Sequence, residues 1–181
     1  MSIYAPDRVW WKPIDKEEKI WLVLAIIWTT LTFALMPIWH LVGKQNPSSE
    51  SYKVSVERYG ALANDFMQKY QVKDANGNPV SINGTPVVRH PAGGEAYLVA
   101  KAWAWEPILE LEKGETYRLH LSSLDFQHGF SIYPLNINFM VIPGQDYVLT
   151  IKPTSSGEFS IICNEYCGLG HHTMVGKLIV R

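Results

Sequence analysis

Cysteine is scarce in this sequence: Cys163 and Cys167 are the only two in 181 residues. A disulfide-stapled secreted scaffold needs more cysteines at wider spacings, and a bridge across so short a loop would restrain the unfolded chain little. Stability must therefore come from an ordinary hydrophobic core, for which 181 residues leave room beside one appendage. A strong charge imbalance is also lacking. The formal net charge of −1 removes the electrostatic reason to expect nucleic acid or a strongly acidic partner. No internal repeat is visible.

The longest absence is of charge within one stretch. From Ile20 to Gly43, IWLVLAIIWTTLTFALMPIWHLVG, there is no Asp, Glu, Lys or Arg. A helix rising about 1.5 Å per residue would reach about 35 Å there, enough for a hydrocarbon core of about 30 Å. Trp21 and Trp39 stand near its ends, where indoles favour the membrane–water boundary. A cleaved signal would have a shorter apolar region of about 7–15 residues and a small-residue cleavage site. These features predict one retained membrane anchor over 20–43. Arg8, Lys12, Lys16 and Lys19 precede it against Lys44 and Lys53 after it, which predicts a cytoplasmic segment 1–19 and an external C-terminal domain.

Residues 44–95 read as a linker and a helical, turn-rich segment. GKQNPSSES (43–51) is polar, and Tyr59, Leu62, Phe66 and Tyr70 recur at spacings of three and four, predicting an amphipathic helix within 52–72. Asn76-Gly77 and Asn83-Gly84 suit tight hairpin turns. From Ala96 onward short strands alternate with turns: 117–121, 130–133, 137–142, 147–151, 159–163 and 176–180. In the first of these Tyr117, Leu119 and Leu121 share one face, with Arg118 and His120 on the other. Such spacing predicts an all-β, antiparallel sandwich or barrel for 96–181. Trp103 and Trp105 are expected on one strand face, and Met140 in the core.

The chemistry concentrates in CNEYCGLGHHTM (163–174), a loop between two strands. Gly168 and Gly170 let it curl so that side chains converge. Cys163, Cys167, His171 and Met174 mix thiolate, imidazole and thioether. Thioether suits copper and not zinc, and structural zinc sites favour four Cys/His ligands. A mononuclear blue-copper site needs one Cys, two His and a weak Met. A second thiolate is present here, and two thiolates can bridge two coppers. A second imidazole must then come from elsewhere, and His128 in LDFQHGFSI (124–132) is placed to supply it. His172 is expected at the rim, and Asp125 to fix the His128 loop through backbone amides. His40, His90 and His120 read as membrane-interface, turn and strand-face residues.

CNEYCGLGHHTM, with DFQHGF (125–130) upstream, resembles the dinuclear CuA centre of cytochrome c oxidase subunit II. The pattern C-x-E-x-C-G-x-G-H-x-x-M is satisfied without a gap. The resemblance covers roughly Ala96 to Arg181 and the plan of an N-terminal anchor; one anchor and a short chain are more like the ba3-type branch. It implies a cupredoxin-like Greek-key fold. It also implies two copper ions bridged by Cys163 and Cys167, one completed by His128 and Met174, the other by His171 and the Glu165 carbonyl. The implied function is an electron-transfer subunit in a bacterial or archaeal cell membrane. It would accept electrons from a c-type cytochrome and pass them to haem in subunit I, where oxygen is reduced to water. Aromatics near Trp103 and Trp105 lie where electrons enter such proteins. In many of these oxidases the glutamate at position 165 reaches a magnesium or manganese ion at the boundary with subunit I, whereas ba3-like relatives tend to have glutamine. Haem is not expected on this chain, which has no CxxCH motif. Two rivals remain: a copper subunit of a nitric oxide reductase, whose terminal chemistry would equally lie in a partner, and a membrane-tethered copper carrier, which would expose its ligands for release.

Overall fold

The computed structural model describes residues 13–42, 50–135 and 137–181. Arg8, Lys12, Lys44 and most of the 43–51 linker lie outside the described residues. The chain divides into two compact units, Met1–Gln45 and Asn46–Arg181.

The first unit carries helix α1, Lys16–Val42. It starts where Asp15 Oδ1 accepts from the Glu18 amide at 2.8 Å, an N-cap a few residues ahead of the uncharged stretch. None of its residues is buried, and its most apolar window has a mean hydropathy of 2.0. Thr30 donates to the Ile26 carbonyl at 2.7 Å and Thr32 to the Trp28 carbonyl at 2.9 Å, so both hydroxyls are satisfied within the helix. Such internal satisfaction is what a hydrocarbon surrounding demands. By length and composition α1 fits the span of a single-pass membrane protein.

The second unit is a two-sheet sandwich. Its elements are β1 (Glu50–Lys53), α2 (Val56–Tyr70), β2 (Ser81–Ile82), β3 (Thr85–Arg89), β4 (Glu95–Lys101) and β5 (Ala104–Glu106), followed by β6 (Ile108–Leu111), β7 (Tyr117–Ser123), β8 (His128–Tyr133), β9 (Ile137–Val141), β10 (Gln145–Ile151), β11 (Gly157–Cys163) and β12 (Val175–Val180). One sheet runs β1-β10-β7-β4-β5 and the other β2-β3-β6-β12-β11-β8-β9. The six strands expected from β7 onward all form. Tyr117, Leu119 and Leu121 point into the core, as their alternation predicts.

The sheets are mixed and not purely antiparallel. The pairs β4–β7, β3–β6 and β6–β12 are parallel. The chain leaves the five-stranded sheet after β5 and returns at β7, so β7 comes alongside β4 in the same direction. Crossing between sheets in this way gives the mostly-β, cupredoxin-like sandwich.

Residues 50–95 take part in that sandwich. β1 pairs with β10, β3 pairs with β6, and α2 lies on the outer face of the five-stranded sheet through Tyr59 and Ala63 against Val99. Ser55 caps α2, accepting from the Arg58 amide at 3.2 Å. Asn83 and Gly84 both have positive φ, 52° and 83°, the tight turn their sequence predicts between β2 and β3. Met140 does not enter the core: it is 46% exposed on edge strand β9, because the alternation there turns it outward between Phe139 and Val141.

Candidate metal centre

The donor groups gather at one end of the sandwich. His128 opens β8 and Cys163 closes the neighbouring β11, where it pairs with Phe130. The loop after Cys163 is pinned at both ends: the Cys163 amide donates to the Met174 carbonyl at 3.2 Å, and the Asn164 amide to the Gly129 carbonyl at 3.3 Å. Gly168, at φ +113°, reverses the chain, and a short 3₁₀ turn over His171–Thr173 carries Met174 back under the cysteines.

All six groups singled out in the sequence converge. The two sulfurs are 3.7 Å apart. Cys163 Sγ lies 3.9 Å from His128 Nδ1 and 3.3 Å from the Glu165 carbonyl oxygen. Cys167 Sγ lies 3.7 Å from His171 Nδ1 and 3.9 Å from Met174 Sδ. His128, both cysteines and Met174 are buried. His172 is exposed beside them, at the rim.

Electrostatics favour a cation here. Burial, followed by the adjacent Cys163 sulfur and the charge of Asp125, pushes the Cys167 thiol up to about 11. Two thiolates this close repel, and a cation bound between them would offset that repulsion. The donor set fits copper: soft sulfur, imidazole and a thioether, with each sulfur central to the cluster.

Asp125 organises the His128 side. Its carboxylate accepts from the Ala102 amide and the Phe126 amide, both at 2.6 Å, as the sequence predicts. It also accepts from His128 Nε2 at 2.9 Å. That bond sets the tautomer and leaves the Nδ1 lone pair facing the sulfur. Burial works against the charge on Asp125, but the His128 ring and the two amides outweigh it and hold its carboxyl below the usual range. The sequence predicts for Asp125 only the backbone amides; the D-x-x-H spacing is the signal from which its bond to the His128 ring could have been read.

The two tryptophans do not share a strand face. Trp105 is buried in β5, its ring edge-on to His128 at 6.2 Å, whereas Trp103 sits in the β4–β5 turn and is 41% exposed. Trp103 Nε1 donates to the Cys167 carbonyl at 3.2 Å, and its ring lies over Gly168 and Gly170. A Cβ at Gly170 would come within 2.3 Å of that ring, and one at Gly129 within 2.0 Å of Asn164 Oδ1. Both glycines are thus places where another group crosses the backbone closely, which conformational preference alone does not reveal.

No family model matches the chain. Over 88 residues, 47% of its length, it is 40% identical to two cytochrome c oxidase subunit 2 sequences from Thermus thermophilus. Over that stretch the chain is similar to cytochrome c oxidase subunit 2. The match spans 64% and 51% of those two relatives. A chain in the cryo-EM structure of a heme-copper terminal oxidase dimer shares the fold: the TM-score is 0.56 at 24% identity, covering 92% of this chain and all of that one. Subunit 2 likeness and a converging Cys/Cys/His cluster therefore coincide in one molecule.

Proposed function

We propose that this chain is the electron-transfer subunit of a haem-copper terminal oxidase, taking electrons from a c-type cytochrome or similar carrier and delivering them to haem in subunit I for reduction of oxygen to water. The observation that carries the reading is the convergence of two thiols, two imidazoles, a thioether and a carbonyl at one end of the sandwich. Cys163 and Cys167 would bridge two copper ions; His128 and Met174 would complete one, His171 and the Glu165 carbonyl the other. When bound, such a pair supplies a one-electron relay in which charge is spread over two metals.

The protein's own part is to keep that relay rigid. Strand ends fix His128 and Cys163, the Asp125 carboxylate fixes the His128 ring, and Trp103 holds the Cys167 carbonyl. Because both sulfurs are buried, water is kept from the thiolates. Tyr166 and Leu169, on the loop that carries the cysteines, are largely exposed, as are Phe126 just ahead of His128 and Trp103 against Gly168 and Gly170. This is the face on which an electron donor would dock, with Trp103 beneath it. The basic flank ahead of α1 favours an outward-facing copper domain.

The test is metal content and paramagnetic resonance on the full chain in detergent. Two coppers per chain are expected, with one unpaired electron shared equally by both nuclei in the partly oxidised form. One copper with four-line hyperfine splitting would return the centre to a mononuclear blue-copper site. Retention of copper against a chelator separates a relay from a carrier.

A further inference from the structure

We propose that His120, held between Asp146 and Glu95, is a proton-dependent clasp across the five-stranded sheet, closed while the imidazole is charged and weakened as it loses its proton. His120 lies on β7, on the face turned away from the core, and is only 8% exposed. Its Nδ1 meets Asp146 Oδ2 of β10 at 2.7 Å, and its Nε2 meets a Glu95 carboxylate oxygen of β4. Ionised carboxylates only accept hydrogen bonds, and a neutral imidazole has one N–H. A ring bonded to carboxylates through both nitrogens is therefore an imidazolium.

A second cation among the described residues bonds one of the same carboxylates. Arg118, two residues earlier on β7, donates to Glu95 at 3.0 Å and, through both terminal nitrogens, to Glu50 of β1 at 3.2 and 2.8 Å. Tyr97 of β4 stacks on the ring at 4.5 Å, and Tyr59 of α2 is buried nearby with its hydroxyl donating to the Leu98 carbonyl. Burial pushes both phenols up, aided by the charge of Asp146, so they stay neutral. These ties join β1, β4, β7 and β10. Without the His120 proton one ring nitrogen presents a lone pair to a carboxylate. Glu95, with half its side chain exposed, is the partner free to turn out to water.

The direction follows from the same contacts. Burial favours the neutral ring, but the bonds to Asp146 and Glu95 and their charges outweigh it and raise its pKa above the ordinary value. A raised folded-state pKa contributes stability that is full below the unfolded value and is lost as pH rises through the folded one. The clasp's own contribution is therefore full on the acidic side of the ordinary histidine value. None of the groups in the clasp touches the donor atoms of the metal centre.

The full chain in detergent, with nitrogen-labelled histidine rings, tests this by magnetic resonance titration and by thermal melting at a series of pH values. Because the metal centre's own titration is shared by wild type and variants, it cancels in their difference. The signal missing in His120→Gln should titrate above the ordinary histidine value of about 6.5. The melting temperature of the wild type should fall as pH rises through that midpoint, and the fall should be lost in His120→Gln. Glu95→Gln removes one half-exposed charge and keeps the fold accessible even if His120→Gln does not fold; it should move the ring midpoint down and shrink the fall. A ring titrating at or below the ordinary value, or a Glu95→Gln chain with the wild-type midpoint and melting profile, overturns the clasp.

Discussion

His128 and His120 are both buried histidines on strands of the same sandwich, and both lean on a carboxylate. His128 has one: Asp125 accepts a hydrogen bond from Nε2–H at 2.9 Å, and the other nitrogen faces Cys163 Sγ at 3.9 Å. His120 has two, Asp146 on Nδ1 and Glu95 on Nε2. A single carboxylate fixes a tautomer and leaves a lone pair free for a metal. A second one consumes that lone pair and turns the ring into a cation. The number of carboxylates, more than burial or strand position, separates a ligand from a clasp.

The largest effect expected in breaking the comparison lies at the sulfurs. If the two sulfurs bridge as proposed, Cys163→Ser or Cys167→Ser should abolish the shared-electron resonance spectrum, while His120 titrates as before. Survival of that spectrum in either variant would remove the bridging role. A smaller effect is expected one shell out. Asp125→Ala frees the His128 ring and leaves the Ala102 and Phe126 amides without their acceptor. Loss of such a partner typically lowers metal affinity about 10–100-fold. Competition with a copper chelator measures it, and Glu95→Gln is the control, since it should leave copper affinity at the wild-type level. Equal affinity for Asp125→Ala and wild type would show that the carboxylate on His128 does not act as a positioning group.

The same contrast shows what a sequence carries. The loop 163–174 announces itself because its ligand types are rare and its spacing is set by one local turn. His128 is found because the set then lacks an imidazole and one loop offers it. The strands from β7 onward follow from period-two alternation. The His120 clasp has no such mark: Glu95, His120 and Asp146 are joined only because β4, β7 and β10 lie side by side. That order depends on crossovers between sheets, the feature that also turned an expected antiparallel sandwich into a mixed one. Trp103 was misplaced for a related reason. Two tryptophans at i and i+2 share a face only if the strand is unbroken, and here β4 ends between Lys101 and Trp103. Met140 failed through its register on an edge strand.

A milder perturbation sharpens the ligand side. Met174 is buried and its sulfur is 3.9 Å from Cys167 Sγ, so leucine should fill its space at a packing cost below about 1.5 kcal/mol. In the weak axial role proposed for it, Met174 should set the potential and not the retention of copper. Met174→Leu should keep both coppers and shift the midpoint potential by roughly 59 mV, which is about 1.4 kcal/mol for one electron. Potentiometry reads this directly. Loss of copper to the extent seen in a cysteine variant would promote Met174 from tuning donor to essential ligand.

The smallest effect on the copper site is expected at Glu165, where backbone and side chain have separate tasks. Its carbonyl oxygen is 3.3 Å from Cys163 Sγ, and its amide crosses so close to Gly129 that a Cβ there would stand 2.6 Å away. The backbone position is therefore set by packing and owes nothing to the carboxylate. That carboxylate belongs to none of the ion pairs among the described residues. A hard, charged oxygen is a poor match for copper held by sulfur, and a good one for magnesium or manganese, which keep several waters and need only one or two carboxylates. We propose that the Glu165 side chain serves such an ion at the boundary with subunit I. Glu165→Gln should leave the copper spectrum nearly unchanged and remove the manganese signal from the assembled complex grown in manganese-rich medium. A wild-type complex that takes up no manganese leaves the carboxylate without a metal role. A copper spectrum altered by the substitution would mean that the side chain, and not only the backbone, shapes the centre.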